Sequence, residues 1–131
     1  MKFLSIVLLI FGLVMTSCKK EEPAAPPAPT KKEMISKTWK PKEVYINGQV
    51  SSDPYWSGLR VEIKQNGTYI TTDASGATTG VWEFNSDETK IIFDKGSAAE
   101  ETWDILSLST ALFKAKFTSG SGNAEILFQP S

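Results

Sequence analysis

The sequence LRVEIKQNGTYITT, residues 59–72, decides the fold of this chain. Apolar and charged residues alternate over residues 59–64, which is the pattern of a strand with one buried face. Asn66 and Gly67 then predict a tight hairpin in which both turn residues have positive φ. Residues 68–72 return as a second strand that is rich in β-branched and aromatic side chains. The stretch therefore predicts an antiparallel β-hairpin.

The same rhythm of strands and turns continues on both sides of this hairpin. One strand is predicted before it and five after it, with a turn signal about every 8 to 12 residues. The eight predicted strands cover residues 38–46, 59–64, 68–72, 78–84, 90–94, 102–108, 112–118 and 124–128. Apolar residues at helical spacing extend over no more than one turn, around residues 32–35. The predicted class is all-β.

Eight consecutive antiparallel strands with short connections predict a closed up-and-down barrel, because closure removes the exposed edges of an open sheet. A β-sandwich is the alternative, but it needs long crossing connections, and the only long gap spans residues 47–58. If the first strand runs from the closed end to the mouth, loops 47–58, 73–77, 95–101 and 119–123 surround the mouth. The other three turns then lie at the base.

Several segments of the predicted barrel resemble the lipocalin-like lipoproteins of Bacteroidota. These segments are ISKTWK (35–40), NGTY (66–69), GVWEF (80–84) and IIF (91–93). The resemblance covers nearly the whole folded domain and implies a lipocalin-like barrel, a small-lipid-binding activity and Trp39 as the plug of the closed end. In lipocalins a glycine stands two residues before this tryptophan, and an arginine from the last strand packs over it. Here Lys37 stands at the glycine position, and the only arginine is Arg60.

The chain begins with a predicted lipoprotein signal. Lys2 precedes an apolar run over residues 3–15, which is shorter than the roughly 20 apolar residues of a membrane span. The following MTSC, residues 15–18, resembles a lipobox. Cys18, the only cysteine, is therefore predicted to carry diacylglycerol and palmitate-type acyl chains as the mature N-terminus. An ordinary signal peptide with an unmodified thiol is the alternative.

The residues after Cys18 predict an outer-membrane location and a tether. KKEE, residues 19–22, resembles the signal that sends lipoproteins of Bacteroidota to the cell surface, and retention on the periplasmic side is the alternative. PAAPPAPT, residues 23–30, favours an extended polyproline II spacer. The predicted organisation is a signal peptide (1–17), a lipidated tether (18–32) and a barrel domain (33–131).

Composition argues against an enzyme. The chain has no histidine, which removes the commonest general base and most transition-metal sites. The acidic pairs 87–88 and 100–101 are interpreted as solvated loop charges, because adjacent residues on a strand point to opposite faces. A net charge of −1 without a basic stripe gives no site for nucleic acid. We therefore expect no catalytic residue, no metal and no cofactor.

Aromatic side chains supply the predicted ligand-binding residues. The barrel holds enough of them to fill a small core, because each buries on the order of 150 to 250 Å². Trp103 and Phe117 lie nearer the predicted mouth than the other strand aromatics. Tyr55 and Trp56 lie beside Pro54 on the longest loop, where no strand pattern requires large apolar surface. These four residues are the predicted ligand contacts, and a lid folded back onto the barrel is the alternative for the pair on the loop.

Two functions of different class remain open at this point. The first is an envelope lipoprotein whose barrel binds a small apolar or glycan ligand at its mouth. The second is a non-catalytic structural or protein-interaction lipoprotein with a filled barrel that contacts another envelope protein. Both are held at the membrane by the lipid on Cys18. A cavity open between Trp56 and Trp103 would favour the first function.

Overall fold

The computed structural model of the protein describes residues 23–120 and 122–131. The predicted signal sequence, Cys18 and the charged residues 19–22 lie outside the described residues. Residues 23–30 form neither helix nor strand and are exposed. Across the described residues, no helix has the length and apolar character needed to cross a membrane.

Two short helices and nine strands make up the described part of the chain. The helices are α1 (Lys31–Ile35) and α2 (Pro54–Gly58). The strands are β1 (Thr38–Ile46), β2 (Gln49–Val50), β3 (Arg60–Ile63), β4 (Thr68–Asp73), β5 (Gly76–Phe84), β6 (Lys90–Phe93), β7 (Glu101–Leu108), β8 (Phe113–Ser119) and β9 (Gly122–Pro130). The eight strands expected from the alternation pattern are β1 and β3 to β9, each within two residues of its predicted ends.

The strands close into an antiparallel barrel, as predicted. Strands β1 and β3 to β9 pair in chain order, and β9 pairs back with β1. The β1–β9 seam is long, from Trp39 opposite Pro130 to Ile46 opposite Ala124, with a bulge between Pro41 and Glu43. In contrast, β1 pairs with β3 at only two positions, near its start. Beyond these two positions β1 no longer pairs with β3. The chain between the two strands contains β2 and α2.

The segment predicted as the long mouth loop contains a strand and a helical turn. Asn47 and Gly48 have φ of 49° and 80°, so they form the tight turn that folds β2 back onto the end of β1. The Asp53 carboxylate accepts the backbone N–H of Tyr55 at 2.9 Å, and Pro54 occupies the first turn of α2. This is the arrangement of a capped helix start. Local interactions, namely a tight turn and a helix cap, therefore give this segment regular structure.

The β3–β4 hairpin forms where predicted, but its turn differs from the expected one. Gly67 has φ of 87°, whereas Asn66 is not among the residues with positive φ. Instead the Asn66 side-chain oxygen accepts the backbone N–H of Thr68 at 3.1 Å. The expectation of two positive-φ residues was wrong, because the chain uses a four-residue connection in which a side chain supplies one of the turn hydrogen bonds.

Helix α1 covers the base of the barrel. The Thr30 hydroxyl accepts the Glu33 N–H at 3.1 Å, and the Glu33 carboxylate accepts the Thr30 N–H at 2.7 Å, which completes a capping box. Ile35 at the end of the helix is fully buried. The Lys31 ammonium donates to the Glu88 carbonyl at 2.9 Å, so the helix reaches the β5–β6 turn.

Trp39 plugs this closed end, as the lipocalin resemblance implied. Its side chain is 0% exposed, and its indole N–H donates to the Ile35 carbonyl at 2.8 Å. The Lys37 ammonium lies 5.3 Å from the centroid of the Trp39 ring and donates to the Thr110 carbonyl at 2.7 Å. Lys37 therefore places a cation over the ring of Trp39.

Apolar side chains fill the barrel above this plug. The rings of Trp103, Phe113 and Phe128 stack at near-parallel angles, with centroids 5.4 to 6.5 Å apart. The buried core also contains Ile35, Trp39, Val44, Leu59, Val61, Ile63, Tyr69, Trp82, Ile91, Phe93, Ala115 and Ile126. The residues that alternate inward along the strands thus form one continuous core.

Candidate functional site

The mouth lies at the end of the barrel opposite α1 and Trp39. The Asn47 N–H donates to the Asn123 carbonyl at 2.8 Å, which joins the β1–β2 turn to the start of β9. The Tyr55 hydroxyl donates to the Asp73 carboxylate at 3.5 Å, which joins α2 to the end of β4. The loop over residues 47–58 therefore contacts two of the other three loops expected at the mouth, 73–77 and 119–123.

Trp103 and Phe117, two of the predicted ligand contacts, lie in the upper core. Their rings stack with centroids 4.6 Å apart and planes 12° apart. Trp103 is buried, and its indole N–H donates to the Glu101 carboxylate at 2.7 Å. Phe117 is half-buried and packs against the same core. Trp103 is thus almost wholly covered and Phe117 partly so, and ligand contact stays a prediction for both residues.

Tyr55 and Trp56, the other two predicted contacts, lie together on α2. Their rings meet edge to face with centroids 5.0 Å apart. Trp56 is half-buried against the core, whereas Tyr55 leaves 46% of its surface exposed. Burial, followed by the nearby negative charge of Asp73, raises the pKa of Tyr55. Trp56 thus packs against the barrel core, whereas Tyr55 faces solvent, and ligand contact stays a prediction for both. The structure brings the four predicted residues together as two pairs.

The barrel interior keeps a small cavity just inside the mouth. Its volume is about 110 Å³. Seven side chains line it, namely Val61, Tyr69, Thr71, Phe93, Ala99, Glu101 and Trp103. Pockets for drug-sized ligands usually measure roughly 300 to 1,000 Å³. The interior cavity is therefore too small to hold a ligand of that size.

Tyr69 and Asp94 form a hydrogen-bonded lock beside this cavity, which the sequence reasoning did not identify. The Tyr69 hydroxyl donates to the Asp94 carboxylate at 2.5 Å, and the Val81 N–H donates to the other carboxylate oxygen at 3.0 Å. Burial first, and then Asp94, raise the pKa of Tyr69. A Cβ at position 80 would collide with the Asp94 carboxylate and lie 2.6 Å from a Tyr69 ring carbon, so Gly80 makes the room. A glycine inside a strand is the signal that marks such a close approach.

A larger groove lies outside the barrel, between α2, β2 and the bulged part of β1. We call it the rim groove, and its volume is about 670 Å³. Its lining combines the apolar side chains of Tyr45, Val50, Pro54 and Trp56 with the polar ones of Lys42, Ser52 and Asp53. Val50 is 75% exposed. The groove therefore places accessible apolar surface next to hydrogen-bonding groups.

A second outer groove of about 600 Å³ runs over the outer face of β1, β9 and β8. Its charged groups are largely paired with one another, since the Lys114 ammonium lies 2.6 Å from the Glu125 carboxylate and the Tyr45 hydroxyl donates to Glu43 at 3.0 Å. Residues 23–120 and 122–131 place no three acidic, histidine or cysteine side chains so that they could hold a metal ion. We therefore regard the mouth, with its cavity and the rim groove, as the candidate site.

The comparisons with known proteins bear on the fold. No protein-family model matches the chain. No curated protein matches it. The crystal structure of a lipocalin-like protein from Bacteroides uniformis matches with a TM-score of 0.54 and 13% sequence identity, and the match covers 75% of this chain and 99% of that one. At this identity the likeness shows the fold alone: the chain has a lipocalin-like barrel.

Proposed function

We propose that this protein is a non-catalytic binding lipoprotein of the cell envelope that takes a glycan ligand in the rim groove. One observation carries the proposal. The barrel interior offers about 110 Å³, whereas the rim groove offers about 670 Å³ beside the mouth. Of these two, the rim groove alone falls within the size range of small-molecule sites, and the second outer groove, which is also of that size, has most of its charged groups paired with one another.

The chemistry of the rim groove suits a sugar better than a fatty acyl chain. Sugar rings have apolar C–H faces that pack on aromatic side chains and hydroxyl groups that require hydrogen-bond partners. Trp56 and Tyr45 supply aromatic surface, and Lys42, Ser52 and Asp53 supply polar groups. An acyl chain would leave these polar groups desolvated without partners, which costs free energy.

A titration of the purified protein with a panel of oligosaccharides tests this proposal, with binding followed by calorimetry. We expect Trp56→Ala to weaken binding of the best oligosaccharide at least about tenfold, which corresponds to about 1.4 kcal/mol. Lys114→Ala, in the second outer groove, is the matched control and should leave the affinity unchanged. Undiminished binding by Trp56→Ala would place the ligand elsewhere.

The second function, a filled barrel that binds another envelope protein, is favoured by the exposure of Val50 and Tyr55. Both are large apolar side chains left in solvent on the segment between β1 and β3, and exposed apolar surface of this kind can mark an interaction site. A photo-crosslinking side chain at position 50 should then give a discrete protein adduct in intact cells. Position 106 provides the control, because Leu106 is also exposed but lies on β7. Equal labelling from both positions would speak against a specific partner.

Anchoring through Cys18 is part of the same proposal. The lipobox-like residues 15–18 and the absence of a second cysteine support it. Cys18→Ala should move the protein from the membrane fraction to the soluble or unprocessed fraction, and mass spectrometry should find lipid on Cys18 in the parent protein. Protease treatment of intact cells then separates the two predicted faces of the outer membrane, because only a surface-exposed domain is degraded.

A further inference from the structure

Strand β5 extends beyond the strand that pairs with it on one side. It pairs with β4 at six positions, from Val81 opposite Thr68 to Gly76 opposite Asp73. With β6 it pairs at only three positions, residues 82–84. The part of β5 that precedes residue 81 therefore has a neighbouring strand on one side only.

Asp94 ends the ladder between β5 and β6. Its N–H donates to the Val81 carbonyl at 2.8 Å, and its carboxylate accepts the Val81 N–H at 3.0 Å. The following loop, residues 95–100, folds back on itself, because the Ser97 N–H donates to the Asp94 carbonyl at 3.1 Å and the Glu100 N–H donates to the Ser97 carbonyl at 3.2 Å. Within the described residues, no strand continues β6 along the rest of β5.

The register shows which backbone groups of β5 lack a partner. Along an antiparallel strand, the N–H and C=O groups of successive residues face the two neighbouring strands alternately. The Trp82 N–H donates to the Gly67 carbonyl at 2.9 Å, on the β4 side, so the backbone groups of Val81 face the β6 side. Ala77 and Thr79 lie an even number of residues from Val81, so their groups face that side too. Two N–H and two C=O groups are thus unpaired within the described part of the chain.

We call residues 76–80 of β5 the free edge, and it lacks the usual protection of a sheet edge. Residues 76–79 are exposed at every position, so neither face of the strand is covered. Native edge strands are commonly protected by charged side chains, proline or bulges. The sequence ASGATTGVW, residues 74–82, has no charged residue and no proline, and β5 pairs with β4 in an unbroken register. Such an edge can accept an added strand.

The charged groups around the free edge are mostly acidic. Residues 73–83 and 94–101 carry five carboxylates and one ammonium, that of Lys95, which lies 2.7 Å from the Glu83 carboxylate. A second copy of the chain would bring two such acidic regions together, and they would repel each other, whereas a basic peptide is complementary. Four hydrogen bonds along so short an edge also bury far less than the roughly 1,200 Å² that a stable dimer needs. Charge and area therefore favour a basic peptide.

We propose that the free edge binds an extended, positively charged peptide segment of another protein, which adds to the sheet as a further strand beside β5. The peptide backbone exchanges hydrogen bonds with Ala77 and Thr79, and its lysine or arginine side chains lie near the carboxylates of the surrounding loops. The site is separate from the rim groove and does not depend on glycan binding there.

Nuclear magnetic resonance of the protein, titrated with the peptide acetyl-Lys-Val-Lys-Val-Lys-Val-amide, tests the proposal directly. The amide signals of Ala77 and Thr79 should shift to saturation and gain protection from hydrogen exchange, because these N–H groups acquire a partner. The signal of Thr78, which pairs with Thr71 on β4, should move much less. The same peptide with glutamate in place of lysine should bind at least about fivefold more weakly.

Two N-methylated forms of the lysine peptide separate strand addition from attraction by charge. Methylation of alternate residues keeps every charge but removes the N–H groups from one edge of the extended peptide. One form should therefore bind at least about fivefold more weakly than the parent peptide, and the other should bind as the parent does.

A substitution on β5 tests the same hydrogen bonds from the side of the protein. Thr79→Pro removes an N–H that has no strand partner, a change that an edge strand tolerates, and it should weaken peptide binding at least about threefold. Thr79→Val is the matched control, because it keeps the N–H and should leave the affinity unchanged.

The proposal is overturned if both methylated peptides bind as tightly as the parent, or if the glutamate peptide binds as tightly as the lysine peptide. It is also overturned if the signals of Ala77 and Thr79 do not move with peptide up to about 10 mM, which would saturate even a millimolar site. Shifts of these signals with protein concentration alone, together with a dimer in sedimentation, would assign the edge to a second copy instead. The peptide comparisons use the unaltered protein, so a variant that fails to fold does not affect them.

Discussion

At the base of the barrel Trp39 is fully buried and bonds to the carbonyl of Ile35, whereas at the mouth Tyr55 leaves 46% of its surface in solvent. The base is sealed by a helix whose lysine reaches the β5–β6 turn. The mouth keeps a small cavity and an outer groove. The same short barrel therefore ends in a plug on one side and in accessible aromatic and acidic surface on the other.

This difference indicates a division of roles. At the base, the apolar surface is buried and the polar atoms of the plug have partners inside the protein, so its residues contribute chiefly to stability. At the mouth, Tyr55 and Glu101 are exposed while Trp56 is half-buried, so these side chains remain open to a ligand. The comparison predicts large stability losses for changes at the base and smaller ones for changes at the mouth.

The largest expected effect is that of Trp39→Ala. It removes a fully buried indole and its hydrogen bond, and we expect the free energy of unfolding to fall by about 3 to 5 kcal/mol. Trp56→Ala, at the mouth, should cost less than about 1.5 kcal/mol, because Trp56 is already partly exposed. Denaturant titrations of the two variants measure both values. Equal losses would mean that Trp56 is as much a core residue as Trp39, and the division between the two ends would fail.

Gly80→Ala should give the next largest effect. The added methyl group would collide with the Asp94 carboxylate and with the Tyr69 ring, so we expect a loss of about 1 to 3 kcal/mol. Gly58→Ala is the control, because no atom lies within 4 Å of a Cβ there. Equal thermal unfolding midpoints for Gly80→Ala and the control would show that Asp94 and Tyr69 can move aside for the methyl group without a loss of stability.

Tyr69 makes the mouth sensitive to alkaline pH. Its pKa is raised in the folded protein by burial and by Asp94, so its contribution to stability is complete below the usual tyrosine pKa of about 10. That contribution is lost as the pH rises further. Tyr69→Phe should lower stability by about 1.5 kcal/mol at pH 7, because it deletes a hydrogen bond to a charged group. Urea titrations from pH 8 to pH 11 should show a shallower decline for the variant than for the parent protein. Parallel declines would assign the alkaline loss to other groups.

The smallest effect expected is that of Lys37→Met at the base. The change keeps the apolar stem but removes the ammonium that lies over Trp39 and bonds to Thr110, so we expect a loss of about 0.5 to 1 kcal/mol. Lys42→Met, an exposed position on β1, should change stability by less than about 0.5 kcal/mol. Indistinguishable denaturation midpoints would show that this cation does not stabilise the plug.

The strands were predictable because alternation of apolar and polar residues is a local property of a sheet with one buried face. The conformations of the turns were less predictable. Asn66-Gly67 and Asn47-Gly48 are the same dipeptide, yet only the second forms a turn in which both residues have positive φ. The difference depends on the connection length and on the strands that each turn joins, which a dipeptide does not specify.

For the candidate site, the sequence indicated which aromatic residues lie near the mouth but not how they are grouped. Trp103 and Phe117 stack in the core, and Tyr55 and Trp56 meet on a helical turn that the strand pattern did not contain. The lock of Tyr69 with Asp94 joins side chains 25 residues apart, so no local pattern reveals it.

By itself, the sequence determined the all-β class, the order of the eight barrel strands, the plug position of Trp39 and the unsuitability of the chain for histidine chemistry. The plug position of Trp39 follows from the resemblance to lipocalins, and the other three follow from periodicity and composition, which act residue by residue. Only the tertiary structure decided that the interior is filled, that Lys37 supplies the cation over Trp39, and that rings from β4, β6 and β7 share a small cavity with Glu101. Those features depend on which side chains meet across strands once the barrel closes, and on the volume left between them.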